Sequence, residues 1–252
     1  MIDRFVRLVI IGAVALGAPA AHGGEPPLKV HFISGSTEYT SEASLKAFKE
    51  HLEKNYNIAC TASWGKDSGN ALDDLDALKT ADVMIVFARR LKLPAEQMAI
   101  IRGHWENGKP IVGIRTASHA FQKDDNDFFD RKVLGGHYTG HYGSEPVKVS
   151  PTKEGAAHPI LQGVQPLTSK QLYRTKELAS DTVVLQTGDI GTAQHPVTIV
   201  HTYKGGRVFS TSLGLPEEFR DANFRRLLTN AVIWTAGREE AKLKRPGNPS
   251  QE

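Results

Sequence analysis

The chain has 252 residues, with 31 Lys+Arg against 28 Asp+Glu and a formal net charge of +3. That length carries one substantial core or two small ones, and so even a charge balance gives no sign of a nucleic-acid partner. A single cysteine, Cys60, excludes an intrachain disulfide, and its place in the apolar run IAC reads as a small buried hydrophobe.

The N-terminus combines a basic MIDRFVR, an apolar LVIIGAVALG and the small-x-small sequence Ala18-Pro19-Ala20. This order predicts a secretory signal peptide over residues 1–20, with a retained anchor as the alternative. The apolar run is short for a membrane span. The expectation is a periplasmic or secreted protein with no stable membrane insertion after cleavage.

LKVHFISGS (28–36) reads as a first strand ending in Gly and Ser, followed by a helix over SEASLKAFKEHLEKN with Leu45, Phe48 and Leu52 on one face. IACTASW is a second strand, LDDLDAL a short amphipathic helix, and ADVMIVFA a strand apolar enough to be buried on both faces. PAEQMAIIRGHWENG is a helix opened by Pro94 and closed by Gly108, and PIVGI is the next strand. This β-α alternation predicts a flavodoxin-like, three-layer parallel sheet. From Gln122 to Ser144 the pattern breaks into a polar, Gly-rich stretch with the features of a functional loop. EPVKVSP and TVVLQTGDI read as strands, and Lys204-Gly205-Gly206 joins two more in a β-hairpin. A final helix carries Phe224, Leu227, Ala231 and Trp234, with Gly237 as its C-cap. The polar tail 239–252 reads as disordered.

Ligands of open α/β sheets bind beyond the carboxyl ends of the strands. Three polar clusters fall there: SGSTEYTS, ARR and RTASH. RTASH occupies the place of a nucleophile elbow, but Ser118 lacks the flanking glycines. Arg115 can hold an anion or a sugar oxygen through its fork of donors, or pair with an acid at the sheet edge. Thr116 and Ser118 are presented by the same turn. His119 is either a general base and ligand group or a helix cap. His137, Tyr138 and His141 of GGHYTGHYG suit sugar recognition. His137 and His141 would also suit a divalent metal, with His119 or Asp130 as a third ligand. Ser36, Glu38 and Tyr39 follow the first strand, Glu38 reading equally as a surface or capping carboxylate. Tyr173 is a further candidate for the same cleft.

GIRTASHAF, GGHY, HPILQGV, LY, PVTIVHTYKGGRVFSTSLG and FRRLLTNAVIWTAG occur in the order found in ThuA-like, or trehalose-utilisation, domains. The resemblance spans residues 28–238. It implies a class I glutamine amidotransferase-like fold without the cysteine, since Arg115 lies at the nucleophile position. It also implies a role in the metabolism of sugars or oxidised (3-keto) glycosides. Leu215 and Arg115 stand where many relatives carry histidine, which weighs against a metal.

Together these features predict acid/base catalysis on a carbohydrate by His119 and His137. Arg115, Thr116, Ser118, Ser36, Glu38, Tyr39, Tyr138 and His141 would bind substrate. No cofactor is expected, and a homo-oligomer is left open. The alternatives are a non-catalytic carbohydrate-binding module using the same cleft and, third, a serine hydrolase.

Overall fold

A computed structural model describes residues 25–66 and 69–245. The first strand, β1 (Leu28–Gly35), leads through a 3-10 turn into α1 (Ser41–Asn55). Next come β2 (Ile58–Lys66), the short β3 (Ala71–Leu72), β4 (Val83–Ala88), α2 (Ala95–Glu106) and β5 (Ile111–Ile114). After α3 (Lys123–Phe128) come β6 (His137–His141), β7 (Pro146–Pro151), α4 (Lys153–Ala156), β8 (Leu167–Lys170) and β9 (Tyr173–Lys176). The chain then forms β10 (Val183–Asp189), β11 (Gln194–Tyr203), β12 (Gly206–Thr211), α5 (Ala222–Thr235) and α6 (Glu240–Leu243).

The main sheet runs β3-β2-β1-β4-β5-β12-β11-β10-β7-β8. Strands β2, β1, β4, β5 and β12 are mutually parallel. Taken in chain order they give the 2-1-3-4-5 arrangement of a flavodoxin-like sheet. β3 pairs antiparallel with β2 at one edge, and β11, β10, β7 and β8 extend the sheet antiparallel on the β12 side. A two-residue turn, Lys204 (φ 48°) and Gly205 (φ 86°), joins β11 to β12. Left-handed angles at both positions match the twist of the strands, so the expected hairpin forms here.

Layering follows from the apolar runs. All six residues of β4 and all four of β5 are buried. One face packs Phe32, Val83, Ile85 and Val112 against Leu45, Phe48 and Leu52 of α1 and Phe224, Leu227 and Leu228 of α5. The other packs Ile33, Met84 and Val86 against Ile101 and Trp105 of α2, with Phe121 and Phe129. Asp221 caps α5 by accepting from the Asn223 amide at 2.8 Å, and Gly237 closes it at φ 66°. No helix among the described residues is long and apolar enough to cross a membrane.

Three sequence expectations need correction. LDDLDAL forms β3 and a 3-10 turn, Leu75–Thr80, because Asp74 sits in a left-handed conformation that breaks a regular helix. Residues 122–144 are not a loop: they hold α3, a π-helical turn Phe129–Val133 and β6, and β6 pairs antiparallel with β9 in a separate two-stranded sheet. The tail is ordered through Arg245, since Leu243 is fully buried and Lys244 bridges to Tyr56. The expected signal peptide, residues 1–20, and residues 246–252 lie outside the described residues.

Two histidines are built into this core. His31 on β1 bonds Thr61 Oγ1 (2.8 Å) and Ser63 Oγ (3.0 Å), and His104 Nε2 bonds the Pro110 carbonyl (2.9 Å). Burial holds both well below the usual 6.5, at about 4. The unfolded chain therefore binds protons that the folded chain refuses. The stability they contribute is complete above pH 6.5 and is lost as pH falls towards 4, at up to ~1.4 kcal/mol per pH unit for each histidine. Urea midpoints should accordingly fall between about pH 7 and about pH 5; a midpoint independent of pH over that window would contradict the burial of neutral imidazoles.

Candidate functional site

Strand β5 ends abruptly at Arg115, whose φ of 47° turns the chain sharply into the 3-10 segment Arg115–His119. Gly214, on the segment after β12, makes room for this turn. A Cβ there would come within 2.7 Å of Ile114 Cγ2 and 3.0 Å of Arg115 Cβ. The left-handed residue of the elbow is thus Arg115, and Ser118 lies one turn later with its hydroxyl 3.1 Å from His119 Nδ1.

Arg115 is almost fully buried, with 2% of its surface exposed. Its guanidinium lies between two aromatic faces, 4.6 Å from the Tyr39 ring and 4.8 Å from that of Tyr173. Nη1 donates to the Ser212 carbonyl (2.6 Å) and Nη2 to Gln171 Oε1 (2.8 Å), while Nε is buried without a partner. Among the described residues no carboxylate pairs with it at ion-pair distance, so the edge ion pair weighed from sequence does not form. Glu218 supplies a longer-range countercharge. Burial raises its carboxyl, which Ser169 Oγ and the Gly214 and Leu215 amides hold in place and Arg115 favours in its charged form.

Two spaces with lining residues in common adjoin this elbow. An inner cavity of about 30 Å³, room for one water-sized group, is walled by Arg115, Ser118, Asp130, Tyr138 and Tyr173. A wider cleft of about 330 Å³ shares Ser118, Asp130 and Tyr138 with it and adds His119, His137 and Arg90. His119 stacks on Tyr138 (centroids 4.5 Å, interplanar 24°). Burial, reinforced by Arg89, Arg90 and Arg115, drops it to about 4, so it is a neutral imidazole at physiological pH. Asp130 Oδ2 accepts from the Tyr138 amide (2.8 Å) and faces His137 Nδ1 at 3.2 Å. Burial pushes this carboxyl up from the usual range, opposed by those two bonds. The Asp130 carboxyl is pushed up to about 7 and stands directly against the His137 imidazole.

Of the residues expected from sequence, Arg115, Ser118, His119, His137 and Tyr138 come together around these spaces. Tyr39 lines neither space, and its ring covers Arg115. Thr116 is fully buried, and Ser36 nearly so, each with an unpartnered hydroxyl and neither lining the spaces. Glu38 lies outside as an exposed partner of Arg89 at 3.0 Å. His141 braces Tyr138 from outside, its Nδ1 3.0 Å from the tyrosine hydroxyl. His137 and His141 are each engaged elsewhere, and no group of three His, Cys, Asp or Glu side chains among the described residues could hold a metal ion. Asp130 entered the sequence reading only as a metal ligand, and Arg90 only within the ARR cluster. The π-helical turn that buries Asp130 beside Phe129 has no signal in the charged run KDDNDFFD.

The sequence matches the trehalose utilisation (ThuA) family over residues 29–235. The chain belongs to the ThuA family. Among solved structures, it is similar to a ThuA-like protein from Bacteroides uniformis at TM-score 0.65 and 17% identity, covering 89% of this chain and 98% of that one. It is also similar to a ThuA-like protein from Parabacteroides merdae at TM-score 0.64 and 14% identity, covering 90% and 92% of the two chains. At such identities these likenesses speak to the fold. No curated protein sequence matches. Within the ThuA frame, Leu215 has its side chain packed into the core, and its amide bonds Glu218 Oε2 at 2.9 Å. That position offers this ThuA protein no ligating group.

Replacing Arg115 with Lys would keep the charge but lose the planar fork that spans Ser212 and Gln171. We expect a stability loss of about 1–3 kcal/mol, read as a lowered urea midpoint. An unchanged midpoint would mean that the guanidinium does not hold the elbow.

Proposed function

We propose that this ThuA protein acts on a sugar or an oxidised (3-keto) glycoside by acid/base chemistry in the His119–His137 cleft. The observation that carries the reading is the half-buried His137, backed by the buried Asp130, opening on the same cleft as a neutral His119. Asp130 holds Nδ1 of His137 and leaves Nε2 for the cleft, the arrangement of an oriented base. The stacked rings of His119 and Tyr138 offer a face to sugar C–H groups. Membership of the trehalose-utilisation family supports a carbohydrate substrate.

A keto group makes the neighbouring C–H acidic. His137 Nε2 takes that proton, and the C–H electron pair moves onto the carbonyl oxygen as an enolate. That oxygen lies in the inner cavity beside Arg115, whose Nε–H lacks a partner. The electron pair then returns, either to expel a substituent from the next carbon or to pick up a proton at a new position. His119, uncharged, donates or accepts a hydrogen bond without adding a cation. This route draws on these side chains alone, and Arg115 at the elbow in place of a thiol argues against an amidotransferase reaction. We further propose that residues 1–20 direct export to the periplasm or medium.

Incubation with 3-keto and ordinary disaccharides tests the reading. His137→Ala and Asp130→Asn should each lower kcat by ~10²-fold or more, and activity should rise with pH through about 7 as the Asp130 carboxyl loses its proton. Saturable binding with no turnover, weakened but otherwise unchanged in His119→Ala, would instead identify a carbohydrate-binding module. Export predicts that the protein recovered from the periplasm or medium begins near Ala21, read by intact mass; recovery from the cytosol with Met1 retained would contradict it.

A further inference from the structure

The largest cavity among those described lies away from the cleft. A groove of about 690 Å³ runs between α1 and the start of α5. Ala47 and Ala222 leave space between the helices. Charge lines what remains: Lys54 from α1, Arg220, Arg225 and Arg226 from the α5 end, and Lys244 after α6, against one carboxylate, Glu50. The whole chain carries only +3, so five cations around one concavity are a local concentration and not the average surface.

Lys54, Arg220, Arg225 and Arg226 are incompletely neutralised. Arg226 meets Glu240 at 3.2 Å, yet its Nε is buried without a partner. Arg225 donates one Nη1 bond to the Phe219 carbonyl at 3.0 Å. Among the described residues, the side chains of Lys54 and Arg220 make no hydrogen bond or ion pair. Arg225 also lowers the pKa of His51 in the groove wall, after burial, which reports the positive field there. Like charges gathered in a concavity focus potential, and guanidinium forks match oxyanions two donors at a time.

We propose that this groove binds a small polyanion bearing phosphate groups. The volume is that of a site for a compact organic ligand. Five cations lining one hollow between two helices favour a small molecule over a polymer.

Calorimetric titration of the full chain with pyrophosphate and with glucose 6-phosphate tests this, with glucose as the uncharged control. Saturable one-to-one binding is expected for at least one phosphate probe, weakening as salt rises, and the better probe identifies the source as inorganic or sugar phosphate. The double variant Lys54→Ala/Arg220→Ala, whose replaced side chains are exposed, should weaken binding about tenfold or more at unchanged thermal midpoint. His137→Ala should leave it intact, which separates this site from the cleft. The proposal is overturned if neither probe saturates, if the double variant binds as tightly as the native chain, or if binding is lost with His137→Ala. Duplex DNA or anionic vesicles displacing the probe at lower concentration would also overturn it, as the mark of a macromolecular surface.

Discussion

A cation buried without a carboxylate at contact distance must be satisfied some other way, and Arg115 governs the architecture around it. Its charge is spread over the faces of Tyr39 and Tyr173, its terminal nitrogens tie the end of β5 to Ser212 and Gln171, and Glu218 balances it from beyond contact. Those contacts draw the segments after β1, β12 and β8 onto one point. They also hold Arg115 at the left-handed turn that aims Ser118 and His119 outward. Fold and site are thus fastened by the same side chain.

The consequences for chemistry are electrostatic. Three guanidinium groups near His119 and its partial burial keep that imidazole uncharged. Asp130, sunk beside Phe129 by the π-helical turn, loses the solvation that would keep a carboxylate acidic and couples to His137. The cleft therefore holds a neutral imidazole, His119, beside a second, His137, whose Nδ1 faces a carboxyl raised by burial. That division suits a site where one group must move a proton and its neighbour must not compete for it.

The parallel core was legible because its strands are buried on both faces and so read as continuous apolar runs; ADVMIVFA is the clearest case. Lys204-Gly205 was legible because a tight hairpin demands left-handed residues. The β6–β9 pair was not. His137–His141 is half-exposed throughout, with no alternation to read, and its partner is four residues long. The elbow position of Arg115 could be read, but not its enclosure, since Tyr39, Gln171 and Tyr173 reach it from distant parts of the chain. Thr116 shows the limit of adjacency: beside Arg115 in sequence, it points into the interior.

The account rests on His137 acting as a base towards carbon. The most direct measurement follows a 3-keto disaccharide in deuterium oxide by proton NMR, watching the C–H beside the carbonyl. Wash-out of that signal faster than in buffer with the native protein, and its loss in His137→Ala, is the predicted result. A signal that persists in the presence of native protein as it does in buffer would contradict the account.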